Sequence, residues 1–215
     1  MQKLETKGRD LKLSEGEIEE NRKRFLQRIS VYRSYGYDQI KSREFIIEKA
    51  KPIKGKVLEI ATGKGYLTML LAKETNEIVT VDINEEEQKF AALNAAAEGI
   101  LDKIKFCVCN AEKLPYPPNS FDLVISVNAF HHFEYPFAIL KEMIRACKNK
   151  LVIADFSHSG FEIVSEVHKA EGGEHKRLHG DFSIVGAYLK EYDFSVERFE
   201  DYHQVVYIAK KKGGE

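Results

Sequence analysis

Between Val57 and Thr68 an apolar run, Val57-Leu58-Glu59-Ile60, stops at a small-residue turn, Ala61-Thr62-Gly63-Lys64-Gly65, and restarts with helical spacing at Tyr66-Leu67-Thr68. The chemistry open to such a stretch is binding. Gly63 and Gly65 have no side chain to hold a ligand off the main chain, and both accept positive φ. The first N–H groups of the following helix lack intrahelical partners, so they favour an anionic or hydrogen-bond-accepting group. A tight turn with no ligand would use the same residues. Asp82 tips the reading toward a nucleotide: it ends the next apolar run, Ile78-Val79-Thr80-Val81, about twenty residues after the glycines, the spacing at which a carboxylate accepts both hydroxyls of a ribose.

Positioning these groups calls for strands that end together. Beyond the first strand, glycine turn and helix, the second strand runs into Asn84, which with Glu87 caps a helix reaching Gly99. Ile104 to Val108 reads as a third strand, followed by a proline-rich loop from Asn110 to Ser120. Phe121 to Val127 reads as a fourth strand ending at Asn128-Ala129-Phe130-His131-His132-Phe133, and Leu151 to Phe156 as a fifth. Strand and helix alternate, which argues a parallel sheet covered on both faces. Phe194 to Phe199 and Val205 to Ala209 are joined by too short a link for a parallel crossover, so they pair as an antiparallel hairpin. At the N-terminus, Ser14 and Glu17 form a capping box ahead of one helix, and Asp38 caps a second that ends before Pro52. Between them Tyr32-Arg33-Ser34-Tyr35-Gly36-Tyr37 either closes over a ligand or packs the helical pair onto the sheet.

The 215 residues allow one substantial α/β domain and are few for two. No apolar run is long enough to span a bilayer, and Met1 to Lys12 lacks the features of a signal peptide, so a cytoplasmic location is expected. Lys+Arg 33 against Asp+Glu 34 gives net charge −1, with no bulk electrostatic drive toward nucleic acid. Cys107 and Cys109 lie two apart on one strand face, without metal-ligand or redox spacing, and read as buried thiols. His175 and His179 lack a nearby thiolate or an HExxH form, so no metal is expected.

With these residues in place, the chain resembles the class I S-adenosylmethionine-dependent methyltransferases, in particular the small-molecule branch that includes the ubiquinone/menaquinone biosynthesis enzymes. The resemblance runs from about Lys56 to Phe156. It rests on Val57 to Gly65, Val81-Asp82, Asn110-Ala111-Glu112-Lys113-Leu114-Pro115 leading into Ser120-Phe121-Asp122-Leu123-Val124, and Ala129-Phe130-His131-His132-Phe133. It implies a Rossmann-like seven-stranded sheet, mostly parallel with the antiparallel C-terminal hairpin, and helices on both faces. Residues 1–51 would form an N-terminal helical lid or cap, and 52–215 the methyltransferase domain.

The cofactor implied is S-adenosylmethionine. Glu59, Ala61, Thr62, Gly63 and Gly65 would hold its methionine end, with Glu59 meeting the ammonium directly or through water. Asp82 would take the ribose, Ile83 would pack on the adenine, and Asn110 with the Ala111 backbone would bond the adenine edge. Asn128 would stand beside the reactive methyl, and Tyr35 or Tyr37 would close from the N-terminal side. Ala61 replaces the family's usual first glycine; it is tolerated if φ stays negative there, and it leaves less room for the methionine part. Transfer to a small-molecule acceptor would be an in-line displacement needing alignment more than side-chain chemistry. Should the acceptor have to lose a proton, His131 or His132 can take it; a structural histidine pair explains them equally well. A non-catalytic domain that binds the cofactor or a partner, or a methyltransferase of tRNA or protein, fits the same residues. A nicotinamide dehydrogenase fits less well because Thr68 stands where that fold wants a third glycine. DNA or RNA base methylation is disfavoured by Ser126-Val127-Asn128-Ala129 at the end of the fourth strand.

Overall fold

The computed structural model describes residues 5–174 and 181–213. In chain order the elements are β1 (Thr6–Lys7), α1 (Glu15–Ser34), α2 (Gln39–Ala50), β2 (Val57–Ile60), α3 (Tyr66–Glu74), β3 (Ile78–Asp82), α4 (Glu85–Ala97) and β4 (Ile104–Val108). They continue with β5 (Phe121–Val127), α5 (Pro136–Ala146), β6 (Cys147–Phe156), α6 (His158–Ala170), α7 (Val185–Lys190), β7 (Phe194–Asp201) and β8 (Gln204–Lys211). The caps read from the sequence are present. Ser14 and Glu17 bond reciprocally, Asp38 accepts from the Ile40 and Lys41 amides, and Asn84 accepts from those of Glu86 and Glu87.

One sheet carries the chain, in the order β1-β4-β3-β2-β5-β6-β8-β7. The pairs from β4 through β6 are parallel, and β8 joins β6 antiparallel and makes the hairpin with β7. The expected seven strands are therefore eight. The addition is β1, whose Thr6 and Lys7 pair antiparallel with Phe106 and Lys105 of β4. Two residues are too few for a period-2 pattern to show, and edge pairing of this kind is set by the neighbouring strand. A second difference is at β6, which begins at Cys147 directly from α5.

Alternation along each strand splits the core in two. Val57, Ile78, Leu123, Ile125 and Val152 pack with α2, α3 and α4 on one face. Leu58, Ile60, Val79, Val124 and Leu151 pack with α5 and α7 on the other. A smaller group, Tyr32, Tyr37, Val164 and Val167, joins α1 and α6 near the ends of β6 and β8. All three cysteines are buried thiols. No described helix is long and apolar enough to cross a membrane.

Candidate active site

β2 runs beside both β3 and β5, so the strand order reverses at its carboxyl end. A sheet of this kind opens its ligand crevice there. The turn from β2 into α3 has three residues with positive φ: Ala61 at 61°, Gly63 at 50° and Gly65 at 77°. Ala61 thus lies in the left-handed region, so the negative φ under which an alanine is readily tolerated there is not kept, and the alanine carries the strain. Gly65 is required twice over. A Cβ on it would stand 3.1 Å from the Ala91 Cβ, so the residue also sets how closely α3 and α4 approach.

Asp82 ties β3 to this turn. Its Oδ2 accepts the Gly63 N–H at 2.8 Å and its Oδ1 the Asn84 N–H at 2.9 Å. An ionised carboxylate has about four lone-pair sites, so these amides leave capacity for a ligand's hydroxyls. Burial pushes the Asp82 pKa up, opposed by these amides.

Glu59 is fully buried beneath the turn. Thr68 Oγ1 donates to its Oε2 at 2.5 Å and Thr80 Oγ1 at 2.7 Å. With the Thr80 proton used there, Thr62 donates to Thr80, and Gln88 Nε2 donates to Thr62 at 3.1 Å. The directions form one chain, Gln88 to Thr62 to Thr80 to Glu59, ending on a carboxyl that burial raises to about 7.

Ala61, Asp82, Ile83, Asn110, Ala111 and His132 line one cleft of about 280 Å³. Ile83, 71% exposed, offers an apolar face at its rim. Asn110 Oδ1 accepts the Glu112 N–H, which leaves its Nδ2 for a ligand. Glu59, Thr62, Asn128 and Tyr37 do not line this cleft. Sequence reasoning missed Cys109, Glu112, Phe133 and Glu134 on its wall; Glu112 and Phe133 were within quoted motifs, and the other two carry no pattern of their own.

On the far side of the β5 end, Tyr37 is buried as a packing residue. Its hydroxyl receives Asn128 Nδ2 at 3.1 Å and Gln204 Nε2 at 2.8 Å, so its own proton goes to Ser42 Oγ at 3.0 Å. Asn128 itself has φ 55°. His131 is buried against Asp155: Nδ1 lies 2.6 Å from Oδ1, and the His131 N–H donates to Oδ2 at 2.9 Å. The His132 ring lies tilted against that of His131, their centroids 3.9 Å apart, and His132 lines the cleft; burial of its ring with His131 close by pulls its pKa down to about 4. Tyr32 bonds His168 at 2.9 Å and Arg28 at 2.9 Å, joining α1 to α6. Gln204 and Asp155 escaped the sequence reading because each meets its partner only through the sheet, while Ser42, five residues from Tyr37, carries no pattern that marks the contact. Among the described residues no group of three or more His, Cys, Asp or Glu side chains is placed to hold a metal; His175 and His179 lie outside the described residues.

A family model described as a methyltransferase domain matches residues 58–153. The ubiquinone/menaquinone biosynthesis C-methyltransferase UbiE of Shewanella pealeana is 30% identical over 141 residues, 63% of this chain and 56% of that protein. The chain thus spans about half the length of the curated relatives it matches. Among solved structures, an S-adenosylmethionine-dependent methyltransferase from Aquifex aeolicus aligns with TM-score 0.61 at 22% identity, covering 78% of this chain and 88% of that one. The magnesium protoporphyrin IX methyltransferase of Synechocystis PCC 6803, solved with bound SAH, aligns with TM-score 0.60 at 16% identity and covers 87% of each chain. At these identities the structures establish the fold. Residues 58–153 are thus similar to a methyltransferase domain, and the chain has the fold of these solved methyltransferases.

Proposed function

We propose that the protein binds S-adenosylmethionine at the end of β2 and transfers its methyl group to a small-molecule acceptor. The observation that carries this is Asp82. Its carboxylate is fixed by the Gly63 and Asn84 amides at the rim of a cleft that also holds exposed Ile83 and the Asn110 amide. That is a ribose acceptor beside an apolar surface and an amide for an adenine. A Cβ on Gly63 would meet nothing within 4 Å, so the turn is open to a ligand. Glu59 supplies negative charge beneath the methionine end, and Asn128 stands at the end of β5 with Tyr37 buried behind it as a packing residue rather than a lid. Bound there, the cofactor supplies a methyl group on a positively charged sulfur, so the chain has mainly to align the two partners and exclude water.

Calorimetry with S-adenosylmethionine tests the cofactor reading. Asp82→Ala removes charge-assisted bonds each worth about 1.5–3 kcal/mol, so the loss of even one should weaken binding by roughly 10- to 150-fold. Unchanged affinity would overturn the ribose assignment. Incubation with labelled cofactor and a metabolite pool, read by mass spectrometry, tests transfer: a labelled small molecule is expected, and binding without any labelled product would sink the enzyme reading.

A further inference from the structure

A second cavity, of about 270 Å³, adjoins the glycine turn between α1, α4 and the end of α6. It meets the turn at Lys64, whereas the Asp82 cleft meets it at Ala61, and among the described residues the two share no wall. Two amides tie α1 to the turn through α4: Asn21 Nδ2 donates to Asn94 Oδ1 at 2.8 Å, and Asn94 Nδ2 to the Lys64 carbonyl at 2.8 Å. The lining is of two kinds. Phe25, stacked on Tyr66 with centroids 4.6 Å apart, joins Phe90 and Val31 as the apolar part. Arg24 and Arg28, four apart on one face of α1, join Lys64 as the cationic part, against a single lining carboxylate, Glu171. Glu20 and Glu87, which pair with Arg24 and Lys64, do not line the cavity. Arg28 Nη1 donates to Glu171 at 3.2 Å and Nη2 to the Tyr32 hydroxyl at 2.9 Å, bonds that leave Nε–H and a second Nη2–H. Solvent-accessible pairs of this kind are weak, so an incoming anion can share these cations at little cost.

We propose that this cavity receives the methyl acceptor, and that the acceptor is a small aromatic compound bearing a carboxylate or phosphate, with its ring against Phe25 and Phe90 and its anionic group on Arg28 and Lys64. This rests on the methyl-transfer reading. A cavity of about 270 Å³ lies near the lower end for small-molecule sites, which limits the body to one or two rings. A planar guanidinium matches a carboxylate or phosphate fork to fork, and an ammonium adds a point charge, so the pair selects for an anion over a neutral isostere. Glu171 on the same wall disfavours a second negative group on the far side of the ring. The cavity adjoins the turn assigned to the methionine end, the part of the cofactor that carries the sulfur, and not the cleft assigned to its ribose and adenine.

Titration of the 15N-labelled full chain with 1-naphthoate and with 1-naphthyl phosphate reads the site without turnover. With at least one of them the amides of Phe25, Lys64 and Phe90 should shift while those of Asp82 and Ile83 stay, and 1-naphthamide, which keeps the rings without the charge, should bind at least about tenfold more weakly. Arg28→Gln should weaken the anion by about tenfold and leave S-adenosylmethionine affinity within threefold of wild type. Should Arg28→Gln loosen α1, Arg24→Gln, at an exposed side chain, should weaken the anion in the same direction. Equal affinity for the anions and the amide, or no shift at Phe25 and Phe90, would overturn the site. Competition between naphthoate and S-adenosylmethionine in calorimetry would mean that the cavity holds the cofactor's own carboxylate, and would overturn the acceptor assignment. With labelled cofactor and the metabolite pool, the labelled product should be an anionic aromatic compound, formed at least about tenfold more slowly by Arg28→Gln; a neutral product from the wild type would overturn the acceptor class. Absence of any product with the wild type would remove the methyl-transfer reading and the acceptor role with it, while the anion site would still stand or fall on the titration.

Discussion

Ala61 shows how a single position can carry strain that its type conceals. An alanine at φ 61° costs about 1–2 kcal/mol relative to a right-handed conformation. Part of that is offset in the unfolded chain, where alanine has less freedom to lose than glycine. Ala61→Gly should therefore raise stability by up to about 1 kcal/mol, seen as a higher denaturant midpoint; an equal or lower midpoint would show that the turn has relaxed around the methyl. Glu59 makes a pH prediction. Its pKa is about 7 in the folded chain against 4.5 for an ordinary glutamate. A raised value stabilises fully below the unfolded pKa, and that contribution is lost as pH rises through 4.5 to 7, by roughly 3 kcal/mol in all. Glu59→Gln keeps an acceptor for Thr68 and Thr80 without the charge. Urea unfolding at pH 5 and pH 8 should show the variant gaining on the wild type at the higher pH; parallel curves would argue that the Glu59 carboxyl is not desolvated. The residue types here were legible in the sequence, but the sign of φ at Ala61 and the burial of Glu59 were not, because both depend on how the turn meets β3 and α4.

At the scale of elements, the approach of α3 to α4 is set by Gly65. Gly65→Ala combines a left-handed φ of 77° with Cβ contacts of 3.1 Å and 3.2 Å on Ala91. A loss of about 2–4 kcal/mol is expected from strain and overpacking together. Thermal unfolding of this variant measures it, and a melting point equal to the wild type's would mean that α4 shifts freely. The hairpin makes a related point. Its expected pairing is present, but its turn places Tyr202 and His203 at φ 47° and 63°, where small residues are usual. The His203 carbonyl accepts the Ser157 N–H at 3.0 Å at the start of α6, and Gln204 reaches Tyr37. The strained turn thus sits where β8 meets α6 and the N-terminal helices, a constraint invisible to a pattern of alternating residues.

For the whole molecule, the contrast lies between the sheet and α1. Only Ile29 and Tyr32 of α1 are buried, and the helix is attached largely by polar contacts: Asn21 to Asn94, Glu17 to Lys89, Arg28 to Glu171 and Tyr32 to His168. Few buried apolar groups imply a low local opening energy. We expect α1 amides to exchange hydrogen faster than those of β2 and β5 in the free protein, and to slow on addition of S-adenosylmethionine if residues 1–51 act as a lid. Unaltered exchange in α1 on saturation would leave it a fixed buttress. By itself the sequence determined the strand-turn-helix at Val57 to Thr68, the acid at Asp82, the helix caps and the alternating layout, because each arises from contacts between residues close in the chain. The tertiary structure alone decided the eighth strand, the burial of Tyr37 against Gln204, and the pairing of His131 with Asp155. Those partners lie 24 and 167 residues apart, and only the order β2-β5-β6-β8 brings their strand ends to one place.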